Sequence, residues 1–432
     1  MKGKGTVAAQ KQRQLALPYG KGQMEVRLPE RNLLGVFLPQ HVPPAREPER
    51  LIREALARPI GTPPLRELAR GRRSAVILVS DLTRPVPSRT FLPALLDELA
   101  AAGLADHQIR VVIATGLHRA HTPDEKRALV GEAVADRVEV QDHSPADCVS
   151  LGTTPGGLPV EVNRRVVEAD LRICTGNIDP HYFAGYSGGA KAIMPGVSSR
   201  AAVTATHRMM LAPGAEIGRV EGNPVRTAID EVGKAVGIDF IFNVVVNERK
   251  ELVAAVAGHY LQAHREGCRL ADRVFKVGLP EPADVVLASA GGFPKDVNLY
   301  QAQKGLDNAR LAVKPGGTII LVAECREGFG DATFEQWMVE VGDPDAIIAR
   351  LSREFVMGGH KAVAVALTLK RARVILVSSL PPELVRQAKL QPAESAQQAL
   401  GEVLSDGQAT VAVLPYAGSV VPLLPPGPAT AE

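Results

Sequence analysis

The sequence predicts an α/β protein made of two α/β domains with mostly parallel sheets. Three observations carry this reading. The chain has 432 residues, and at roughly 100–200 residues per domain that length supports two. Short apolar runs of strand length alternate with longer helical runs, the order that builds a parallel sheet with helices on its faces. The alternation breaks at residues 276–283, where Gly278, Pro280 and Pro282 interrupt it before a second series begins. The expected domains are therefore 1–276 and 277–432.

The elements follow in order. Residues 24–29 and 33–39 are β-rich runs separated by Glu30, Arg31 and Asn32, read as a hairpin. A Pro-rich stretch leads into a helix at 49–60. Residues 74–80 form a buried strand closed by the polar turn 81–89, and a helix at 91–103 stops at Gly103, a C-cap residue. A strand at 109–116 precedes the loop 117–125 and a helix at 126–134, capped by Thr122 or Asp124. Residues 138–144, 171–176 and 238–247 read as further strands. The second series has strands at 284–290, 316–325, 373–379 and 410–415, with helices at 298–313, between 325 and 373, and at 393–405. The Pro-rich tail, 422–432, is expected to fray.

Composition narrows the function. Apolar residues are 45% and charged residues 22%, as in globular proteins. Lys plus Arg is 50 against 47 for Asp plus Glu, a net charge of +3, which leaves no electrostatic footprint for nucleic acid. Cys148, Cys174, Cys268 and Cys325 lie far apart, so no C-x-x-C zinc or redox pair exists, and such sparse use suits a reducing cytosol. No apolar run reaches the ~18 residues of a membrane span, and the basic N-terminus has no apolar segment behind it, unlike a signal peptide. A cytoplasmic enzyme acting on a small molecule, with neither nucleic acid nor membrane as partner, is the expectation.

Ligands of open α/β sheets sit beyond the carboxyl ends of the strands. Here those positions carry Asp81 and Arg84, then His118, then His181 and Lys191, and in the second series Asp296, Gln301 and Lys304. The segment 177–207 is the richest. Gly185, Gly188, Gly189 and Gly196 allow close backbone approach around a phosphate. It is not a P-loop: Lys191 is followed by Ala192, so no hydroxyl is placed for magnesium. A structural glycine loop is the plainer reading of composition alone. His181 and His207 flank the lysine without forming a zinc-protease motif, yet one histidine can bind a metal whose other ligands come from a cofactor. His118 and His121 are each candidate acids or bases. Arg84 can fork onto a carboxylate or phosphate, although Asp81, Thr83 and Arg84 alone also read as an ordinary turn. Lys295, Asp296, Tyr300, Gln301 and Lys304 read as either a solvated helix start or an anion clamp, with Gln301 and Lys304 on one face.

Taken in order, Asp81–Arg84, Thr115–His118, His181–Lys191, His207 and Asn298–Lys304 resemble the motifs of the lactate racemase family, over about residues 20 to 415. The resemblance implies two α/β domains with the active site in the cleft between them. It implies a nickel-pincer nucleotide (pyridinium-3-thioamide-5-thiocarboxylic acid mononucleotide) supplied by cofactor biosynthesis proteins and tethered through a thioamide to Lys191. His207 would be the nickel ligand, and His118 and His181 the paired acid/base residues. Asp81, Thr83, Arg84, Ser187, Gly188 and Gly189 would line the cofactor. Arg84, Tyr300, Gln301 and Lys304 would meet the substrate. The N-terminal domain would carry tether and nickel, and the C-terminal domain the substrate side.

The activity implied is racemisation or epimerisation of a 2-hydroxy acid, lactate-like or larger. One departure bears on the substrate. The family carries an active-site tryptophan in the C-terminal domain, whereas the single tryptophan here, Trp337, sits in a helical run that does not match it. The segment 358–366, with His360, occupies that region instead. The chemistry itself follows from the substrate class. The C–H bond is too weakly acidic for a histidine to break, so hydride must leave to an electrophilic cofactor carbon. A base takes the hydroxyl proton meanwhile, and two bases suit two enantiomers. A nicotinamide dehydrogenase would use the same hydride logic, but no G-x-G-x-x-G follows a strand. A non-catalytic nucleotide or sugar-acid binder is the remaining alternative.

Overall fold

The computed structural model describes residues 11–425, apart from Pro85, Glu248, Val341, Gly342 and Asp406. The first ten residues, on which the signal-peptide reading rests, and 426–432 of the Pro-rich tail lie outside the described residues. The chain divides into two units, His41–Phe275 and Met1–Gln40 with Lys276–Glu432. The division falls where the sequence pattern breaks. Residues 11–40, however, group with the C-terminal series and not with the central one.

The reason lies in the N-terminal strands. β1 (Gln12–Tyr19) and β2 (Gly22–Pro29) form the antiparallel hairpin, turned at Gly20 and Lys21. Gly20 holds a φ of +54°, which favours glycine. β3 (Leu33–Val36) does not fold back on β2 as the sequence suggested. The turn Glu30–Asn32 is a short 3₁₀ segment, and beyond it β3 pairs in parallel with a C-terminal strand. Asn32, buried, ties this turn to the carbonyl of Ala409 at 2.9 Å. The polar start of β1 hid a strand whose Leu17 is fully buried.

The central unit begins with α1 (Pro48–Ala57) and α2 (Leu65–Ala69). It then alternates β4 (Ala75–Ser80), α3 (Ser88–Ala101), β5 (Ile109–Ala114), α4 (Pro123–Val130), α5 (Glu132–Ala135) and β6 (Glu139–Asp142). Thr122 caps α4, its hydroxyl accepting from Glu125 N while the Glu125 carboxylate accepts from Thr122 N. Gly131, at φ +87°, splits the single expected helix into α4 and α5. A hairpin not read from the sequence, β7 (Cys148–Thr153) and β8 (Pro159–Asn163), precedes α6 (Arg164–Glu168) and β9 (Leu171–Asn177). The short β10 (Pro180–His181) and β11 (Gly185–Tyr186) pair within the glycine-rich segment. α7 (Arg200–Arg208), α8 (Pro224–Val236), β12 (Phe240–Val246), β13 (Leu252–Gly258) and α9 (Gln262–Phe275) complete the unit.

Its sheet runs β6-β5-β4-β9-β12-β13, parallel except for β13. In chain order that is 3-2-1-4-5-6, so the winding reverses between β4 and β9. Such a reversal opens a crevice at the carboxyl ends of the two strands. The core under the sheet includes Ile77, Val79, Leu95, Ile113 and the pair Phe91–Phe242, with ring centroids 5.0 Å apart. Each such buried aromatic contributes about 1.5–3 kcal/mol.

The C-terminal series opens with β14 (Lys276–Gly278), paired in parallel with a late strand, and β15 (Ala283–Ser289). Next come α10 (Leu299–Ala312), β16 (Val313–Val322), α11 (Ala332–Glu340), α12 (Pro344–Arg353), α13 (Gly359–Leu369), β17 (Arg373–Val377) and α14 (Pro382–Gln387). β18 (Gln391–Ala393), α15 (Ala396–Val403), β19 (Val411–Leu414) and β20 (Val421–Leu423) end it. The second sheet, β18-β17-β16-β15-β19-β3, is parallel throughout. Its reversal falls between β15 and β19. The four cysteines are unpaired. No helix among the described residues is long and apolar enough to cross a membrane.

Candidate functional site

The loops at the β4–β9 reversal hold the expected residues of the central unit. Asp81, just past β4, is buried, and its Oδ2 lies 2.5 Å from His118 Nδ1. Its Oδ1 accepts from the Thr83 hydroxyl at 2.7 Å. Burial works to raise the Asp81 carboxyl, but hydrogen bonds from His118 and Thr83, and the Arg84 charge, leave it below its usual range. An ionised carboxylate only accepts, so His118 donates from Nδ1 and its Nε2 carries the lone pair. The His118 side chain remains 42% exposed.

His121 has a different part. Its side chain is buried, with Nδ1 2.6 Å from Asp142 and Nε2 accepting from Leu82 N at 3.3 Å. Lys126 pairs with the same carboxylate at 2.9 Å. Both ring nitrogens are thus committed to holding the loop beside Asp81, which separates the two histidines that the sequence left equivalent.

Beyond β9 the chain turns through Asp179 and the β10–β11 pair to Gly188 and Gly189. Ser187 closes this turn. Its hydroxyl bonds the Asp179 carboxylate and the Asn177 carbonyl, and accepts from Asp179 N at 3.0 Å. Gly188 and Gly189 both have positive φ, and a Cβ on Gly188 would stand 2.6 Å from Ile178 Cγ1. Next is the 3₁₀ turn Gly189–Ala192, which carries Lys191. Among the described residues no hydrogen bond or ion pair reaches the Lys191 ammonium. Burial pushes it down to about 7, Arg84 and Arg226 adding repulsion while Asp179 and Asp81 oppose.

His207, near the end of α7, donates from Nδ1 to the Val203 carbonyl at 2.8 Å, which leaves Nε2 as the acceptor nitrogen. Burial lowers it to about 4, with Lys191 and Arg84 adding to the effect. It is therefore a neutral imidazole near pH 7. Phe183 stands edge-on to both His181, at 4.7 Å, and His207, at 5.4 Å. His181 Nδ1 accepts from Ala184 N at 3.3 Å, so the neutral ring bears its proton on Nε2. The Arg84 charge thus bears on Asp81, Lys191 and His207 alike, and one aromatic ring links His181 to His207.

A set of side chains that the sequence did not single out grips this loop from behind. Asn223, the N-cap of α8, donates to the Phe183 carbonyl at 2.9 Å. Arg226 reaches the Gly188 carbonyl at 3.4 Å. Asn243 accepts from Gly189 N at 2.8 Å, and His264 donates to the Ser187 carbonyl at 2.9 Å. All four are buried. Two left a trace in the sequence: Asn223 precedes Pro224, a helix-start signal, and Asn243 is a lone polar residue in an apolar strand. Arg226 and His264 left none.

In the other unit, Asn298 caps α10 through Gln301 N at 2.9 Å. Gln301 and Lys304 are exposed on that helix, and Tyr300 is half-buried beside Phe334. Asp296 is not part of an anion clamp. It is fully buried and accepts from Gly20 N at 2.7 Å and Glu324 N at 3.2 Å. Lys295 reaches the Ser419 hydroxyl at 2.6 Å. Trp337 is a core residue of α11, with Arg350 4.6 Å above its ring. His360 is buried in α13, stacked at 6.0 Å on Phe355. No group of three or more His, Cys, Asp or Glu able to hold a metal occurs among the described residues.

Comparison with known proteins agrees with these motifs. Residues 19–218 match the model of the lactate racemase N-terminal domain, and residues 279–421 that of the lactate racemase C-terminal domain. The lactate racemase of Thermoanaerobacterium thermosaccharolyticum is 35% identical over 421 residues, covering 94% of this chain and 98% of that protein. That of Lactiplantibacillus plantarum is 33% identical over 413 residues, covering 92% and 97%. The solved lactate racemase apoprotein from T. thermosaccharolyticum superposes with a TM-score of 0.87 at 34% identity, over 95% of this chain and 100% of that one. A protein from Thermotoga maritima shares the fold, with a TM-score of 0.61 at 22% identity over 87% of this chain and 98% of that one. The chain belongs to the lactate racemase family of isomerases.

Proposed function

We propose that the protein racemises a 2-hydroxy acid, lactate or a larger relative, in the cytoplasm, with a nickel-pincer nucleotide loaded by cofactor biosynthesis proteins. The observation that carries this reading is the state of Lys191. Its amine stands on a glycine turn with no hydrogen-bond or ion-pair partner among the described residues, and burial pushes it down to about 7. The residues present suit such a group. Lys191 would hold it covalently, and His207 would give nickel one neutral nitrogen from a ring already oriented through Val203. With no three-residue metal cluster among the described residues, the remaining ligands would come from the nucleotide. Gly188, Gly189 and Ser187 would admit its phosphate, with Asp81, Thr83 and Arg84 along its edge.

When bound, the cofactor supplies an electrophilic carbon that accepts and returns hydride. The chain's own residues handle the proton. His118 offers Nε2 as a lone pair, backed by Asp81. Each direction needs one base and one acid: His118 takes the hydroxyl proton of one enantiomer, and His181, protonated to the imidazolium, returns a proton to the carbonyl oxygen when hydride is restored to the opposite face. The reverse direction exchanges the roles. Arg84, Tyr300, Gln301 and Lys304 are assigned to the substrate, the cations holding its carboxylate.

Intact-mass and nickel measurements on protein from a host that makes the cofactor test this reading. The expected result is an adduct on the Lys191 peptide, with nickel lost but the adduct kept in His207→Ala. A bare mass together with full nickel occupancy in that variant refutes it.

A further inference from the structure

The frame behind the glycine turn goes deeper than the four side chains that touch it. Asp230 on α8 joins Arg226 at 2.7 Å and Arg265 at 2.7 Å. Arg265 in turn donates to His264 Nδ1 at 3.1 Å. A guanidinium can only donate, so His264 Nδ1 is the acceptor and Nε2–H must point to the Ser187 carbonyl. The His264 ring also fills the space behind Gly189, where a Cβ would stand 2.9 Å from its Cδ2. Arg226 and His264 are fully buried, and Arg226 Nε has no partner. Arg226 and His264 end on the backbone of the turn that carries Lys191, Asp230 and Arg265 end on those two, and none of the four is hydrogen-bonded to a candidate catalytic side chain. An apolar core would fill the same volume without the desolvation such a network costs. What a polar network adds is direction: it holds the Ser187 and Gly188 carbonyls inward.

We propose that Arg226 and His264, aligned by Asp230 and Arg265, are positioning residues that set the Lys191 turn so that its amine is presented to an electrophilic, phosphate-bearing ring before any cofactor is attached. The inference rests on the reading of Lys191 as the tether. Partners one shell removed from a reactive group typically change its performance by about 10–100-fold.

Pyridoxal 5′-phosphate is a suitable probe of the unloaded protein. The amine attacks its aldehyde carbon, water leaves, and borohydride reduces the resulting imine to a stable secondary amine. Peptide mass spectrometry then compares Lys191 with the exposed Lys389 of the other unit. In the wild type Lys191 is expected to react ahead of Lys389. His264→Leu and Arg226→Met should lower the Lys191-to-Lys389 ratio at least ~10-fold with an unchanged circular dichroism spectrum. His264→Gln, which keeps a donor for Ser187, should recover most of it. A wild type without preference for Lys191 defeats the tether reading. A preference that survives in folded His264→Leu and Arg226→Met defeats the positioning role alone. Should those variants fail to fold, Asp230→Asn, which keeps volume and loosens both arginines, decides by the same ratio.

Discussion

Two glycine-bearing loops follow strands at the two sheet reversals, and they treat their lysines in opposite ways. After β9, Gly188 and Gly189 are gripped from behind by side chains of α8, α9 and β12, and the Lys191 amine is left without an acceptor among the described residues. After β15, Gly291 and Gly292 are held by the tip of the N-terminal hairpin. Phe293 N donates to the Gly20 carbonyl at 2.7 Å, and Gly20 N to Asp296. There Lys295 is engaged with Ser419, and on α13 of the same unit the buried Lys361 reaches Gln303 at 2.6 Å, its ammonium 5.2 Å from the Tyr300 ring. An acceptor keeps a buried ammonium charged, and its removal with desolvation produces an amine. Similar topology therefore leaves one lysine without an acceptor and ties the others to hydrogen-bond partners.

The largest break in that contrast comes from exchanging the charge without the nucleophile. Lys191→Arg keeps a cation but should abolish the covalent adduct completely, whereas Lys361→Arg should retain it. Intact mass of each loaded variant reads the difference.

Next in size is Asp81→Asn. An amide no longer demands Nδ1–H from His118, so the imidazole loses its preferred tautomer. Racemisation should fall by roughly 10²-fold, with adduct and nickel unchanged, as steady-state rates and metal analysis would reveal.

Acid stability follows. Burial holds His143 at about 4 and His264 at about 3, below the ordinary 6.5. The unfolded chain then binds more protons than the native one below pH 6.5. Stability is complete above that value and is lost as pH falls toward the native ones, on the order of 3–5 kcal/mol per group. Urea midpoints at pH 7, 6 and 5 should decline steadily. His143→Asn should flatten the slope. The smallest effect is expected from Lys304→Gln. This residue is exposed, so KM for the substrate should rise by several-fold to about 10-fold with less change in kcat.

Much of this was legible before the structure. The polar ends of apolar strands marked Asp81, His118, His181 and Lys191, because a parallel sheet delivers such ends to one edge. The glycines of the 177–207 segment marked the turn itself. What stayed hidden depended on contacts distant in sequence. His118 and His121 looked alike until Asp81 and Asp142 distinguished them. The Asp296 side chain looked like a ligand contact because nothing in its neighbourhood tells of Gly20, 276 residues away. The first hairpin was misread because β3 finds its partner in β19, a pairing that local alternation does not encode. His264 and Arg226 lie on amphipathic helices where a buried charge resembles any polar position.

Racemisation of single enantiomers tests the two-histidine account most directly. Cofactor-loaded protein is given one enantiomer of lactate, or of a larger 2-hydroxy acid that it accepts, and the appearance of the other is followed by chiral chromatography, then in reverse. Approach to equal amounts from both sides is expected, with His118→Ala and His181→Ala each slowing both directions by at least about 10²-fold while nickel and adduct persist. A variant of either histidine that keeps near-wild-type turnover in both directions would contradict it.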